Sequence, residues 1–204
     1  MVKKKAKPKA KTRAKTKVKA KASKAKKVVR AKPKGKAPIK SRPQPVPSGN
    51  AGGKSPTQLP VIEVQTTSGG RLQLSDLKGK NVVLYFYPKD DTPGCTTEGC
   101  DIRDRFGDFE RSDTVVLGVS RDSLASHEKF KAKFGFPFEL VSDPDEVLCR
   151  AFDVMRPKSL YGREYIGVER STFVFDKHGK LRKEYRGVKV VGHAEELLSV
   201  LNQL

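Results

Sequence analysis

The stretch NVVLYFYPKDDTPGCTTEGCDIRDRF, Asn81–Phe106, passes from strand to turn to helix start, and places two cysteines just beyond the turn. Its opening run, NVVLYFY, is apolar, β-branched and aromatic, which predicts a buried central strand. The run ends at Pro88 and a short loop follows. Thr92-Pro93 then reads as an N-cap followed by a first-turn proline. Ile102, Phe106 and Phe109 fall at i, i+4 and i+7 beyond it, one buried face of a helix. Cys95 is therefore expected in the first helical turn, with Cys100 five residues on.

Working outward, VIEVQTT and RLQLS predict a hairpin around SGG, and TVVLGVS and STFVFD two further strands. KLRKEYRG pairs back on STFVFD through KHG. Between the strands lie helical faces, one of them made by Leu124, His127, Phe130 and Phe134. Asp143-Pro144-Asp145-Glu146 predicts another helix, opened by a capping box with proline at its first position. HAEELLSVLNQL closes the chain as a helix. Strands alternating with helices imply an α/β domain with parallel pairings, and the KHG hairpin adds an antiparallel one, so the sheet should be mixed.

The cysteines narrow the chemistry. Cys95, Cys100 and Cys149 are the only three, and His127, His178 and His193 stand singly, so no four-ligand metal set can be read from the spacing. The chain is long and cysteine-poor for a disulfide-stapled secreted domain. TPGCTTEGC lacks the Gly-Lys-Ser/Thr ending of a phosphate-binding loop. Thiol chemistry remains. At a helix N-terminus the unpaired N–H groups and the positive end of the macrodipole favour an anion, hence the nucleophilic thiolate. Five helical residues separate two Cα atoms by about 8 to 9 Å, beyond the ~7 Å that a disulfide tolerates, so a bond between Cys95 and Cys100 requires unwinding. That suits a cysteine oxidised to a sulfenic acid and then trapped by a second thiol. Gly99 lowers local helix stability by about 0.8 to 1 kcal/mol relative to alanine, which would ease the opening.

The charge is divided sharply. Residues 1–54 hold 18 Lys and 3 Arg with no Asp or Glu, whereas the whole chain is only +20, so 55–204 are close to neutral. A Lys-, Ala- and Pro-rich segment without an aromatic residue cannot bury enough apolar surface to offset its ordering entropy. A disordered tail and linker are expected over 1–54, followed by one domain over 55–204. Acid-free lysine density points to a polyanion, and non-specific DNA contact through 1–54 is the expected partner interaction. No apolar run approaches the roughly 18 to 20 residues of a membrane span, so no membrane partner is expected.

YFYPKDDTPGCTTEGCDIRDRF closely resembles the active-site segment of peroxiredoxins of the Q type, the bacterioferritin comigratory protein family. The likeness carries the Pro-x-x-x-Thr-x-x-Cys pattern as Pro88, Thr92 and Cys95, and a second cysteine at the Q-type spacing. It extends over about residues 55–204 through LGVSRDS, LVSDPDEVLCRAFDV and ERSTFVFDKHGK. Only the domain start differs, where GGKSPTQLPVIEV replaces the family's usual opening. The resemblance implies a thioredoxin-like fold and reduction of hydrogen peroxide and organic hydroperoxides without metal, flavin or other cofactor, with recycling by a thioredoxin-type reductant. It also implies roles. Cys95 would be the peroxidatic nucleophile and Cys100 the resolving thiol. Thr92 would hydrogen-bond the thiolate and peroxide, Pro88 would shield the pocket, and Arg170 would hold the thiolate and polarise the peroxide.

Other residues carry plainer expectations. Cys149 lies beside Val147, Leu148 and Phe152 and should be a buried core thiol. His127 should be packing, and His178 and His193 solvent-exposed or capping. Tyr85, Phe86 and Tyr87 belong first to a core strand. Two rival functions stand beside the peroxidase. A disulfide oxidoreductase would normally carry Cys-x-x-Cys, and a nucleic-acid-compacting protein would make the tail its business and the domain a passenger. A monomer is expected, in the cytoplasm with nucleoid contact; nucleus and organelle are the alternatives, the latter disfavoured by lysine over arginine in the tail.

Overall fold

The computed structural model describes residues 55–160 and 162–204; the disordered reading of 1–54 lies outside the described residues. Its centre is the strand expected at Asn81–Phe86 (β3), buried at every residue. Val82, Leu84 and Phe86 point into one core with Leu148, Phe152, Phe173 and Phe175. Val83, Tyr85 and Tyr87 enter a second core with Cys95, Ile102, Phe109, Phe130 and Phe136. A strand covered on both faces has no polar side to show, which is why its sequence is a continuous apolar run.

The neighbours follow from the same logic. In chain order, β1 (Glu63–Thr66) and β2 (Arg71–Gln73) form the expected hairpin, with Val64 opposite Leu72. β3 pairs in parallel with β4 (Thr114–Ser120), which pairs in parallel with β5 (Glu139–Ser142). On its other side β3 meets β8 (Ser171–Phe175) antiparallel, and β8 meets β9 (Leu181–Tyr185) antiparallel. The order is β2-β1-β5-β4-β3-β8-β9, a mixed seven-stranded sheet. The flanking helices are α1 (Pro93–Asp104), α2 (Phe106–Arg111), α3 (Leu124–Phe134), α4 (Val147–Ala151) and α5 (His193–Leu201).

Four features differ from the sequence reading, the first being β5, a strand that the sequence reading did not mark. The helix after Cys100 is two helices, because the Arg105 N–H bonds Ile102 O three residues back and breaks the ladder. Phe109 still reaches the core from α2. The capping box is a turn: Glu146 N–H bonds Asp143 O, and the helix starts only at Val147. Asp143 nevertheless serves that helix start, its carboxylate accepting from Leu148 N at 3.2 Å and Cys149 N at 2.8 Å. Finally, β6 (Met155–Leu160) and β7 (Arg163–Val168) form a separate antiparallel pair that the sequence did not announce. Its residues mix charged side chains with Met155, Ile166 and Val168, and include Pro157, which the pairing places opposite Ile166. Cross-strand pairing outside the main sheet overrides a weak local preference there.

Candidate active site

Cys95 is the third residue of α1 and is buried at 2% exposure where the helix N-terminus meets the second core. Pro93 brings no N–H, and the first helical bond runs from Thr96 N to Thr92 O at 2.8 Å. The N–H groups of Gly94 and Cys95 are therefore left without helical partners, the usual condition of a first turn. Arg170, in the connection from β7 to β8, supplies the opposing charge. Its Nη2 donates to Cys95 Sγ at 3.3 Å. Val188 N–H holds the Arg170 carbonyl at 2.9 Å and so fixes its backbone. Gly94 leaves room for the guanidinium, since a Cβ there would lie 3.2 Å from Nη2.

Glu98, which the sequence reading missed, completes this arrangement. One turn beyond Cys95 on the same face, its side chain is 2% exposed and its Oε2 pairs with Arg170 Nη1. Its other oxygen, Oε1, is buried without a hydrogen-bond partner. Burial pushes the Glu98 carboxyl up to about 7, against the pull of the Arg170 charge and hydrogen bond. The signal available in the sequence was helical spacing, three residues from Cys95, but spacing alone does not separate a buried acid from a solvated one. Lys158, from the unannounced β6–β7 pair, is a further cation: its Nζ donates to Val168 O at 2.7 Å, and burial and then the Arg170 charge lower its pKa.

The other expected site residues lie on the loop before α1 and on α1 itself. Thr92 sits at the N-cap position with extended backbone, yet its hydroxyl does not cap the helix. Oγ1 donates instead to Lys89 O at 3.0 Å, and no hydrogen bond joins it to Cys95. Pro88 is half-buried at the end of β3. Cys100 is half-buried on the same helix as Cys95, packed against the second core, and all three cysteines are free thiols. The structure thus joins Cys95 and Glu98 through Arg170 and places Cys100 on the same helix as Cys95.

Cys149 is fully buried, and burial followed by the Asp143 charge drives its thiol pKa far up, as befits a core thiol. His178 is exposed in its turn. The other two histidines depart from expectation. His193 is 3% exposed, its Nε2 2.8 Å from Thr172 Oγ1 and its ring edge-on to Tyr185. Burial lowers its pKa. His127 is buried as expected, but it packs on a carboxylate rather than on apolar neighbours alone: Nδ1 lies 2.9 Å from Asp90 Oδ2. Tyr85 is turned into the core, where a Cβ on Gly118 would lie 2.5 Å from its hydroxyl.

The sequence model of the AhpC/TSA family matches residues 56–184, and Peroxiredoxin Bcp of Bacillus subtilis is 51% identical over 147 residues, covering 72% of this chain and 94% of that protein. The chain belongs to the AhpC/TSA family, among its Bcp or Q-type peroxiredoxins. Solved structures agree. The bacterioferritin comigratory protein of Xanthomonas campestris, described there for alkyl peroxide reduction, superposes with a TM-score of 0.68 at 44% identity, over 74% of this chain and 98% of that one. A cysteine mutant of PrxQ from Xylella fastidiosa gives 0.70 at 43% identity, over 74% and 98%. The fold is accordingly the thioredoxin-like fold of peroxiredoxins, and the chain is a peroxidase. Among the described residues no helix is long and apolar enough to cross a membrane.

Proposed function

We propose that this peroxiredoxin reduces hydrogen peroxide and organic hydroperoxides through Cys95 and Cys100 and is recycled by a thioredoxin-type dithiol. The observation that carries this reading is the Arg170 Nη2 contact to Cys95 Sγ at 3.3 Å, at a helix N-terminus with unpaired N–H groups. Those donors favour the thiolate and stabilise the charge that develops on the peroxide. The thiolate sulfur attacks the terminal peroxide oxygen, an S–O bond forms, the O–O bond breaks, and the departing oxyanion takes a proton and leaves as water or an alcohol. Cys95 is then a sulfenic acid. The Cys100 thiol displaces its hydroxyl as water and forms the disulfide, and dithiol exchange with the reductant restores both thiols. The alkyl peroxide reduction described for the Xanthomonas campestris relative supports the organic substrates. On this reading Thr92 and Pro88 border the peroxide.

Both cysteines lie in α1, Pro93–Asp104. The helical Cα separation of about 8 to 9 Å exceeds the ~7 Å disulfide limit, so the resolving step opens the first turn of α1. Oxidised and reduced protein are compared by hydrogen exchange. Loss of protection in α1 on oxidation is expected, and an unchanged pattern contradicts the assignment. Cys95→Ser should abolish peroxide consumption, which also separates a peroxidase from a disulfide oxidoreductase. Cys100→Ser should consume one equivalent and accumulate sulfenic or sulfinic acid. We read the protein as a monomer, and the resolving bond as one formed within a single chain. The tail, with 21 basic and no acidic residues over 1–54, is read as bringing the peroxidase to DNA in the cytoplasm without regard to sequence.

A further inference from the structure

The loop between β3 and α1 is held from below by a buried polar cluster that the reaction above does not use. Asp90 stands at its middle, with Pro88 and Thr92 two residues to either side. Its Oδ1 accepts from Tyr87 Oη at 2.8 Å, and its Oδ2 accepts from Ser126 Oγ at 2.7 Å. His127 Nδ1 faces both oxygens, at 3.0 and 2.9 Å, and His127 Nε2 lies 3.1 Å from Val141 O. The side chains of His127 and Asp90 are 0% and 4% exposed. On the backbone side, the Asp90 N–H donates to Asp122 Oδ2 at 2.8 Å, and that carboxylate is held by Ser120 Oγ at 2.8 Å. Next along the chain, Asp91 adopts a positive φ of 55° and pairs with Lys133 at 2.7 Å. One short loop is thus pinned to β3, the end of β4, α3 and, through His127, β5.

Such a cluster needs a reason beyond stability. Apolar side chains of similar volume often serve a core as well as a buried polar pair does, whereas a fully satisfied network specifies one geometry. Burial by itself would raise the Asp90 pKa, but hydrogen bonds from His127 and Ser126 carry it below the ordinary carboxylate value. The geometry is also asymmetric. Everything that bonds Asp90 lies outside α1, so the loop's anchor is independent of the helical turn that the resolving step opens.

We propose that Asp90 and His127 are positioning residues for the peroxidase reaction: their contact sets where Pro88 and Thr92 stand relative to Cys95, and so controls attack on peroxide without supplying the reactivity of the sulfur. The inference rests on the reading of Cys95 as the reacting thiol. Arg170 and the helix N-terminus bear on the sulfur itself; Asp90 and His127 bear on the loop that carries Pro88 and Thr92. An ångström of misplacement in such a positioning loop can cost on the order of 100-fold in rate.

The test uses the full chain, well below the melting temperature of each variant, and follows two rates at Cys95: oxidation by hydrogen peroxide, and alkylation by iodoacetamide read on the Cys95 peptide by mass. Alkylation needs the thiolate but not the loop. Asp90→Ala and His127→Phe should slow oxidation by roughly 10- to 100-fold while alkylation stays within about twofold. His127→Gln, which keeps a donor toward Asp90, should recover much of the loss. Ser126→Ala removes one half-buried hydroxyl and keeps the test open if the larger changes do not fold; it should lower the ratio of the two rates severalfold. Folded variants in which the ratio stays at the parent value, whether both rates hold or both fall together, would overturn the proposal. The parent and Cys95→Ser are run alongside: if the parent fails to consume peroxide, the reading of Cys95 fails, not the role of the loop.

Discussion

Arg170 and Cys95 are 75 residues apart in the chain, and Arg170 Nη2 is 3.3 Å from Cys95 Sγ. The same guanidinium also pairs with Glu98, so one side chain spans two positions on α1. A planar fork with several donors can do this, and a point charge cannot. Arg170→Met is therefore expected to slow peroxide reduction by about 10²- to 10³-fold, the usual loss when a fixed donor to a developing anion is removed. Arg170→Lys should fall between parent and Met. Stopped-flow oxidation of each protein measures this, and a rate for Arg170→Met near that of the parent would contradict it.

Glu98 makes folding pH-dependent. Its carboxyl is raised from the ordinary 4.5 to about 7, chiefly by burial, so the folded protein holds a proton that the unfolded chain releases between those values. The stability associated with that proton is fully present below the unfolded pKa and is lost as pH rises through about 7. Glu98→Gln removes the titration. Relative to the parent, the variant should gain on the order of 3 kcal/mol between pH 4.5 and 8, from 1.36 kcal/mol per unit. Denaturant unfolding at several pH values tests this, and a parent-to-variant difference that does not vary with pH would falsify it.

Gly99 is packed rather than merely permissive. A Cβ at this position would lie 2.5 Å from Cζ of Phe136, whose ring meets Phe130 edge-on and stacks on Phe138. Alanine gains about 0.8 to 1 kcal/mol of helix propensity but overpacks the core at about 1 to 3 kcal/mol. Gly99→Ala should therefore be destabilising by about 1 kcal/mol, and Phe136→Leu in the same chain should recover part of it. A more stable single variant would show that the ring yields.

The tail reading makes a prediction about salt. If about ten of the 21 positive charges of residues 1–54 engage phosphates, the logarithm of the DNA affinity should fall against the logarithm of salt with a slope near −9. No aromatic residue precedes Tyr85, so the tail has nothing with which to stack on single-stranded bases. Unrelated duplexes of equal length should bind alike, and the chain lacking 1–54 should bind weakly. Fluorescence anisotropy across a salt series decides. A flat response, or equal binding by the shortened chain, overturns the reading.

Much of the fold was legible because its determinants are local. NVVLYFY, TVVLGVS and STFVFD are strands by their own composition, and Thr92-Pro93 starts a helix at the residue the sequence marks. The candidate nucleophile was legible for the same reason: a helix N-terminus is a property of a few adjacent residues, and it placed Cys95 in its first turn. Burial of Cys149 likewise followed from its apolar neighbours.

What only the tertiary structure decided involves partners distant in sequence. Glu98 looks like any helical acid until Arg170, 72 residues on, pairs with its buried carboxylate. His127 looks like a packing residue until the loop brings Asp90 to its Nδ1. The β6–β7 pair, with its mixed charged and apolar residues, forms through its own cross-strand register rather than through a periodic apolar pattern. Periodicity and composition report which face of an element is apolar, because that choice is made within one turn or two residues. They do not report which charge meets which, because desolvation and pairing depend on where the chain returns.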